Sequence, residues 1–206
     1  MNADQFFELT ERFERLVAEM NSQWMVYNEI FGVPENFDVL NQSGPLVWLE
    51  IRDALIDSIL LGIGRLLDPA QMQGRDNLSI DFVLSSASRS VSAATANRIT
   101  LLKNVYKSAA KTWRNRTIGH NDHRTAMGLE TLPELPTSTI ADLVRAANEA
   151  CSAISVDLKG CSVEFAPRYR SRSWTPRLLN VLKAGATAIP IPPDTGDDEE
   201  SELDLP

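Results

Sequence analysis

The sequence predicts an all-α fold, a bundle of four to five main helices with a C-terminal extension. Three observations carry this. Apolar residues recur at helical spacing over most of residues 4–158. Gly32 with Pro34, Pro69 and Gly160 fall at the ends of those patterns. No stretch sustains the alternation of a half-buried strand, and CSVEF at 161–165 is the best strand candidate.

The elements follow in order. Residues 4–31 place Phe6, Phe13, Val17, Met20, Trp24, Tyr27 and Phe31 on an apolar face, and Gly32 with Pro34 stops them. Residues 45–67 begin with Ser43 as candidate cap and Pro45 in the first turn, where its missing N–H costs nothing. They end at Asp68-Pro69. The loop AQMQGRDN leads to a short helix at 78–87, capped by Asn77 or Ser79. A fourth helix covers 92–116. A fifth covers 138–158, capped at Thr137 or Ser138 and ended by Gly160. Trp24, Trp48 and Trp113 fall on apolar faces and are assigned to the core. Gly62 and Gly64 lack the strand and third glycine of a nucleotide loop, so they read as a close helix–helix approach.

With 206 residues and 43% apolar content, the chain can bury a full domain core. Residues 1–160 are expected to form the bundle. Residues 161–206 form an arginine-containing extension and a Pro-rich acidic tail whose final 15–20 residues are expected to be disordered. The apolar runs are too short for a membrane span, and the acidic N-terminus is not a signal peptide. Cys151 and Cys161 then read as reduced thiols of a cytoplasmic protein. The cysteines and histidines match no zinc-finger spacing, and neither a metal nor a cofactor is expected.

The net charge of −8 is set by the tail. The last 13 residues hold seven acids, whereas residues 89–124 hold eight Lys or Arg and one acid, Asp122. On a helical wheel, Leu102, Val105, Tyr106, Ala109 and Trp113 form the buried face of the fourth helix. Lys103, Lys107, Lys111 and Arg114 form a second stripe about 120° round. A solvated cationic face is the plain reading, and a rail for the phosphates of RNA is the functional one.

The stripe leads into TWRNRTIGHNDHRT at 112–125, which holds both histidines. Cutting RNA without metal requires a proton carrier and a group to stabilise the charged phosphorane. Histidine suits the first, with a pKa of about 6.5. Arginine suits the second, because its fork matches phosphate oxygens. His120 would carry the proton, Arg114 would hold the phosphate, and Asn115 would orient the imidazole or donate to the phosphate. His123 reads as an exposed neighbour. Asp122 reads as a turn cap or as a partner of His120 or Arg116. One such histidine supplies one proton carrier; the second would be His123, water or the same histidine of another subunit, and a symmetric homodimer with the site at its axis would meet the stoichiometry. Chemistry alone favours the plainer alternative, a polar cluster at a helix end. Arg65 and Asp68 are expected to pair at i, i+3, the alternative being that they orient the Arg114–His120 region.

R-N-x-x-x-x-H at 114–120 resembles the signature of the HEPN superfamily, and His120-Asn121-Asp122 resembles its abortive-infection, AbiU-like branch. A second block is similar to the same branch: IRDALIDSILLGIGRLLDP at 51–69, followed by Asn77-Leu78-Ser79. The resemblance covers about residues 5–160. It implies a helical bundle that dimerises and, as in many members, a metal-independent endoribonuclease of an abortive-infection or toxin–antitoxin system. Arg114, Asn115 and His120 would be catalytic, with Asp122, His123 and Arg116 in support. Lys103, Lys107 and Lys111 would bind single-stranded RNA, and a protein antitoxin would be a further partner. The rival expectation is a non-catalytic module on the same bundle, an antitoxin-like partner or a nucleotide or RNA sensor.

Overall fold

In a computed structural model, residues 2–115, 131–166 and 174–188 are described. The expected acidic tail, and with it Arg116, His120, Asp122 and His123, lies outside the described residues.

The described chain is all-α apart from one two-residue hairpin. Helix α1 (Ala3–Phe31) begins with a capping box, in which Asn2 accepts from the Gln5 N–H and Gln5 accepts in return. A short 3-10 turn and α2 (Phe37–Gln42) follow, then α3 (Pro45–Leu66). The hairpin pairs Gln71–Met72 with Arg75–Asp76. Gln73 and Gly74 both take positive φ, as a tight two-residue turn demands. Helix α4 (Ile80–Ser86) is capped by Ser79. Helix α5 (Ala93–Ala109) runs into a single turn, α6 (Lys111–Trp113). Helices α7 (Thr137–Lys159) and α8 (Trp174–Ala188) complete the chain.

The core gathers where α1, α3, α5 and α7 meet. Val17, Ile59, Leu60, Ile63, Leu102 and Leu143 are fully buried there. Each lies on its helix's apolar face, so the 3.6-residue period alone is enough to choose it. A second, smaller cluster joins Ile30, Val39, Leu40 and Leu179, and so docks α8 onto α1 and α2. Polar ties fix the register. The side chains of Asn21 and Asn148 exchange two hydrogen bonds at 2.8 and 2.9 Å, and Asn21 also donates to the Phe165 carbonyl. Asp157 on α7 accepts the Ser92 N–H at 2.7 Å, closing the start of α5.

Several local expectations are corrected. Residues 161–165 are irregular rather than a strand. The Phe165 carbonyl accepts from a side chain instead of a ladder, and the Glu164 carbonyl accepts from the Ala166 N–H two residues on. Ser43 does not cap α3: it ends α2, and its hydroxyl accepts from the Trp48 indole N–H at 2.9 Å. The N-terminal boundary residue is Gly44, at φ 123°, with Pro45 in the first turn as expected. Neither Thr137 nor Ser138 caps α7, which starts after Pro136 with no side-chain cap. Gly160 ends α7 in the left-handed conformation, as its position requires. Helix α2 was hidden from sequence reasoning because six residues are too few to display a period.

The fourth expected helix, 92–116, is interrupted. Ala110 breaks it after Ala109, and a wide π-type turn follows at Arg114–Asn115. Two contacts off the helix axis accompany the break. The Trp113 indole donates to the Pro133 carbonyl at 2.6 Å, and Arg114 reaches toward Asp68. Such turns recur at functional sites because they re-aim side chains.

Candidate functional site

The site is built where the end of α3 passes beneath the π-type turn. Arg114 leans over α3, and its guanidinium lies 3.4 Å from the Asp68 carboxylate. Both side chains are largely shielded, at 28% and 19% exposure. A pair this shielded is less screened than a surface one, so Asp68 restrains the direction in which Arg114 points.

Gly64 creates the room. A Cβ at this position would sit 2.8 Å from the Tyr106 hydroxyl and 3.3 Å from Arg114 Nε. Hydrogen in place of a methyl group therefore lets the arginine and the phenol lie directly on the helix backbone. At Gly62 a Cβ would meet Met20 at 3.6 Å, an ordinary contact. The two glycines thus differ: Gly62 serves helix packing, and Gly64 makes way for Arg114 and Tyr106.

Tyr106 is buried, yet its hydroxyl has no hydrogen-bond partner among the described residues. Burial raises its pKa. Arg114 opposes that rise, and Asp68 adds to it. The phenol therefore stays protonated, a neutral donor beside the ion pair. Sequence reading assigned Tyr106 only to the buried face, and a helical wheel puts Arg114 on a different stripe; the break after Ala109 is what lets the two meet over Gly64.

Asp68 pairs with Arg114 and not with Arg65, which is exposed. Local i, i+3 geometry made the Arg65 pairing possible, but tertiary packing offers Asp68 a more shielded partner. Asn115 is exposed. Of the lysine stripe, Lys107 and Lys111 are exposed, whereas Lys103 is bound to Asp81 at 2.8 Å. The stripe has no acid beside it along the chain; across space, α4 supplies one. Arg116, His120, Asp122 and His123 are outside the described residues, so their relation to Arg114 is not part of this geometry.

Next to this site lies a cavity of about 620 Å³. Its walls include Trp48, Trp113, Tyr27, Arg52, Asp53 and Asp57. Trp48 and Trp113 are half-buried: each packs against an apolar cluster, as expected, and also lines this cavity. Arg52 pairs with Asp53 at 3.0 Å. Burial, and then the neighbouring Asp53, push the Asp57 carboxyl above the usual aspartate range. Sequence reading missed Asp57; the signal was an acid inside the apolar run ALIDSIL. Among the described residues no group of three or more His, Cys, Asp or Glu is placed to hold a metal. No helix among them is long and apolar enough to cross a membrane.

Neither a curated protein nor a solved structure matches the chain. The model of a HEPN-type family, AbiU2, matches residues 6–175, from the first turn of α1 to the first turn of α8. That span includes both walls of the site and the whole chain between them, so this protein belongs to the abortive-infection-associated AbiU2 family of HEPN domains.

Proposed function

We propose that this protein is a metal-independent endoribonuclease of a defence system, acting as a homodimer on single-stranded RNA. The observation that carries the reading is Arg114, restrained by Asp68 over Gly64 at the turn that opens the Arg-Asn-x4-His motif. An arginine aimed in advance loses less entropy when it meets a phosphate.

His120 takes the proton from the ribose 2′-hydroxyl as that oxygen attacks phosphorus, or delivers one to the leaving 5′-oxygen. The new bond closes a 2′,3′-cyclic phosphate, and the broken bond frees a 5′-hydroxyl. The second proton carrier is His120 of the partner subunit. Arg114 donates to the phosphorane oxygens as their charge grows, and Asn115 orients the imidazole or donates to the same phosphate. Lys107 and Lys111, exposed on the approach to Arg114, attract the backbone. Single-stranded RNA suits such a site because its sugar and bases can turn to fit.

The test is cleavage of defined single-stranded RNAs by His120→Ala and Arg114→Ala, with EDTA present throughout. His120→Ala should lower the rate by about 10²–10⁴-fold, the usual contribution of a positioned acid or base. Its melting temperature should stay within a degree or two of the wild type. Equal cleavage by mutant and wild-type protein rejects the proposal.

A further inference from the structure

The cavity beside Arg114 combines three properties. Its walls are aromatic, with Trp48 and Trp113 among them. Both indoles are held by their N–H groups: Trp48 donates to Ser43 Oγ at 2.9 Å and Trp113 to the Pro133 carbonyl at 2.6 Å. Ring orientation is therefore fixed before any ligand arrives. One carboxylate in the wall also lacks a partner. Asp53 is engaged by Arg52, but Asp57 makes no ion pair or hydrogen bond among the described residues.

The third property is position. Asp57 and Gly64 are seven residues apart on α3, two helical turns, so they share a face about 10 Å apart. Arg114 Nε lies over Gly64, and Trp113, its chain neighbour, lines the cavity. An acidic aromatic cavity thus adjoins a fixed cation, at roughly the reach of one nucleotide from the outer edge of its base to its phosphate.

We propose that this cavity holds a guanine base of the RNA, stacked on its indole walls with its donor edge on the Asp57 carboxylate. The chemistry selects the base. Guanine presents N1–H and the N2 amino group side by side, two donors that match the two oxygens of one carboxylate. Adenine and cytosine each set an amino group beside an acceptor nitrogen, and uracil flanks its single N–H with carbonyls. A carboxylate therefore meets a repelling lone pair with any of the three. Stacking alone would not discriminate among the bases; Asp57 does. The net negative wall disfavours phosphate in the cavity and leaves that group to Arg114. The inference rests on the RNA-cleaving function proposed above, which it equips with a sequence preference.

The test follows the tryptophan emission of the full-length wild-type protein as guanosine 3′-monophosphate is added. Inosine 3′-monophosphate, which lacks only the N2 amino group, and the adenosine, cytidine and uridine 3′-monophosphates are the comparisons. Guanosine 3′-monophosphate should bind at least about tenfold more tightly than any of them. Asp57→Asn should remove the gap between guanosine and inosine nucleotides, while the ligand series in the wild type needs no variant to fold. Equal binding of guanosine and inosine nucleotides overturns the proposal. So does a cavity that takes arginine amide or spermidine but no nucleotide. RNA cleavage is scored separately. Selective guanosine binding without cleavage supports the cavity assignment and removes the nuclease, whereas cleavage with no preference for guanosine does the reverse.

Discussion

Gly62→Ala and Gly64→Ala make the same chemical change two residues apart on one helix, and they should act in opposite directions. Replacing glycine by alanine in a helix interior gains about 1 kcal/mol. At Gly62 the new methyl group lies 3.6 Å from Met20, an ordinary contact that leaves most of that gain. At Gly64 it lies 2.8 Å from the Tyr106 hydroxyl and 3.3 Å from Arg114 Nε, so at least one of them must move. Tyr106 is 7% exposed and belongs to the core cluster. Displacing it is overpacking, which costs about 1–3 kcal/mol. Gly64→Ala is therefore neutral to destabilising by about 2 kcal/mol. Gly62→Ala is stabilising by up to about 1 kcal/mol. Urea denaturation of both variants beside the wild type measures the difference. A melting scan should separate them by several degrees, at about 2–4 °C per kcal/mol for a chain of this size. RNA cleavage supplies the second readout. Moving Arg114 by a fraction of an ångström should lower the rate of Gly64→Ala by about tenfold or more, with Gly62→Ala unaffected. Equal stability and equal cleavage in the two variants would refute the assignment of Gly64 as the seat of the arginine.

Other consequences are as direct. Asp157 has its pKa lowered, first by the Thr95 hydroxyl and then by the Ser92 N–H. A carboxyl depressed in the folded state stabilises above its unfolded value, about 3.9, and loses that contribution as pH falls through the folded value. The wild type should be more stable than Asp157→Asn at pH 6–7, with the gap closing below about pH 4 in pH-resolved denaturation. Cys151 is fully buried, and burial raises its thiol pKa, whereas Cys161 is exposed. A thiol reagent should label one cysteine in the native protein and the second only on unfolding. Two rapid equivalents under native conditions would contradict the packing of α7.

The long helices of this protein are local facts, and the sequence by itself determined where they form. α1, α3, α5 and α7 each repeat apolar groups every 3.6 residues over four or more turns, long enough for the period to stand out. Pro45 marks a start because its ring fixes φ, and Gly160 a stop because, without a Cβ, it takes the left-handed conformation freely. The motif that Arg114-Asn115 opens was legible only through its resemblance to a family signature, because residue chemistry alone favoured a polar helix end. Tertiary structure decided which of these groups meet. Asp68 had a plausible partner three residues away and took one 46 residues away, because only the folded chain sets their relative shielding. Lys103 met Asp81 across helices, and α5 broke at Ala110 although its composition predicts a continuous helix to 116. The cavity is of the same kind: Trp48 and Asp57 share α3, but Trp113 lies 56 residues beyond Asp57, and only the folded chain makes the three walls of one space. Periodicity reports which face of a helix turns inward; it carries no information about what waits on the other side.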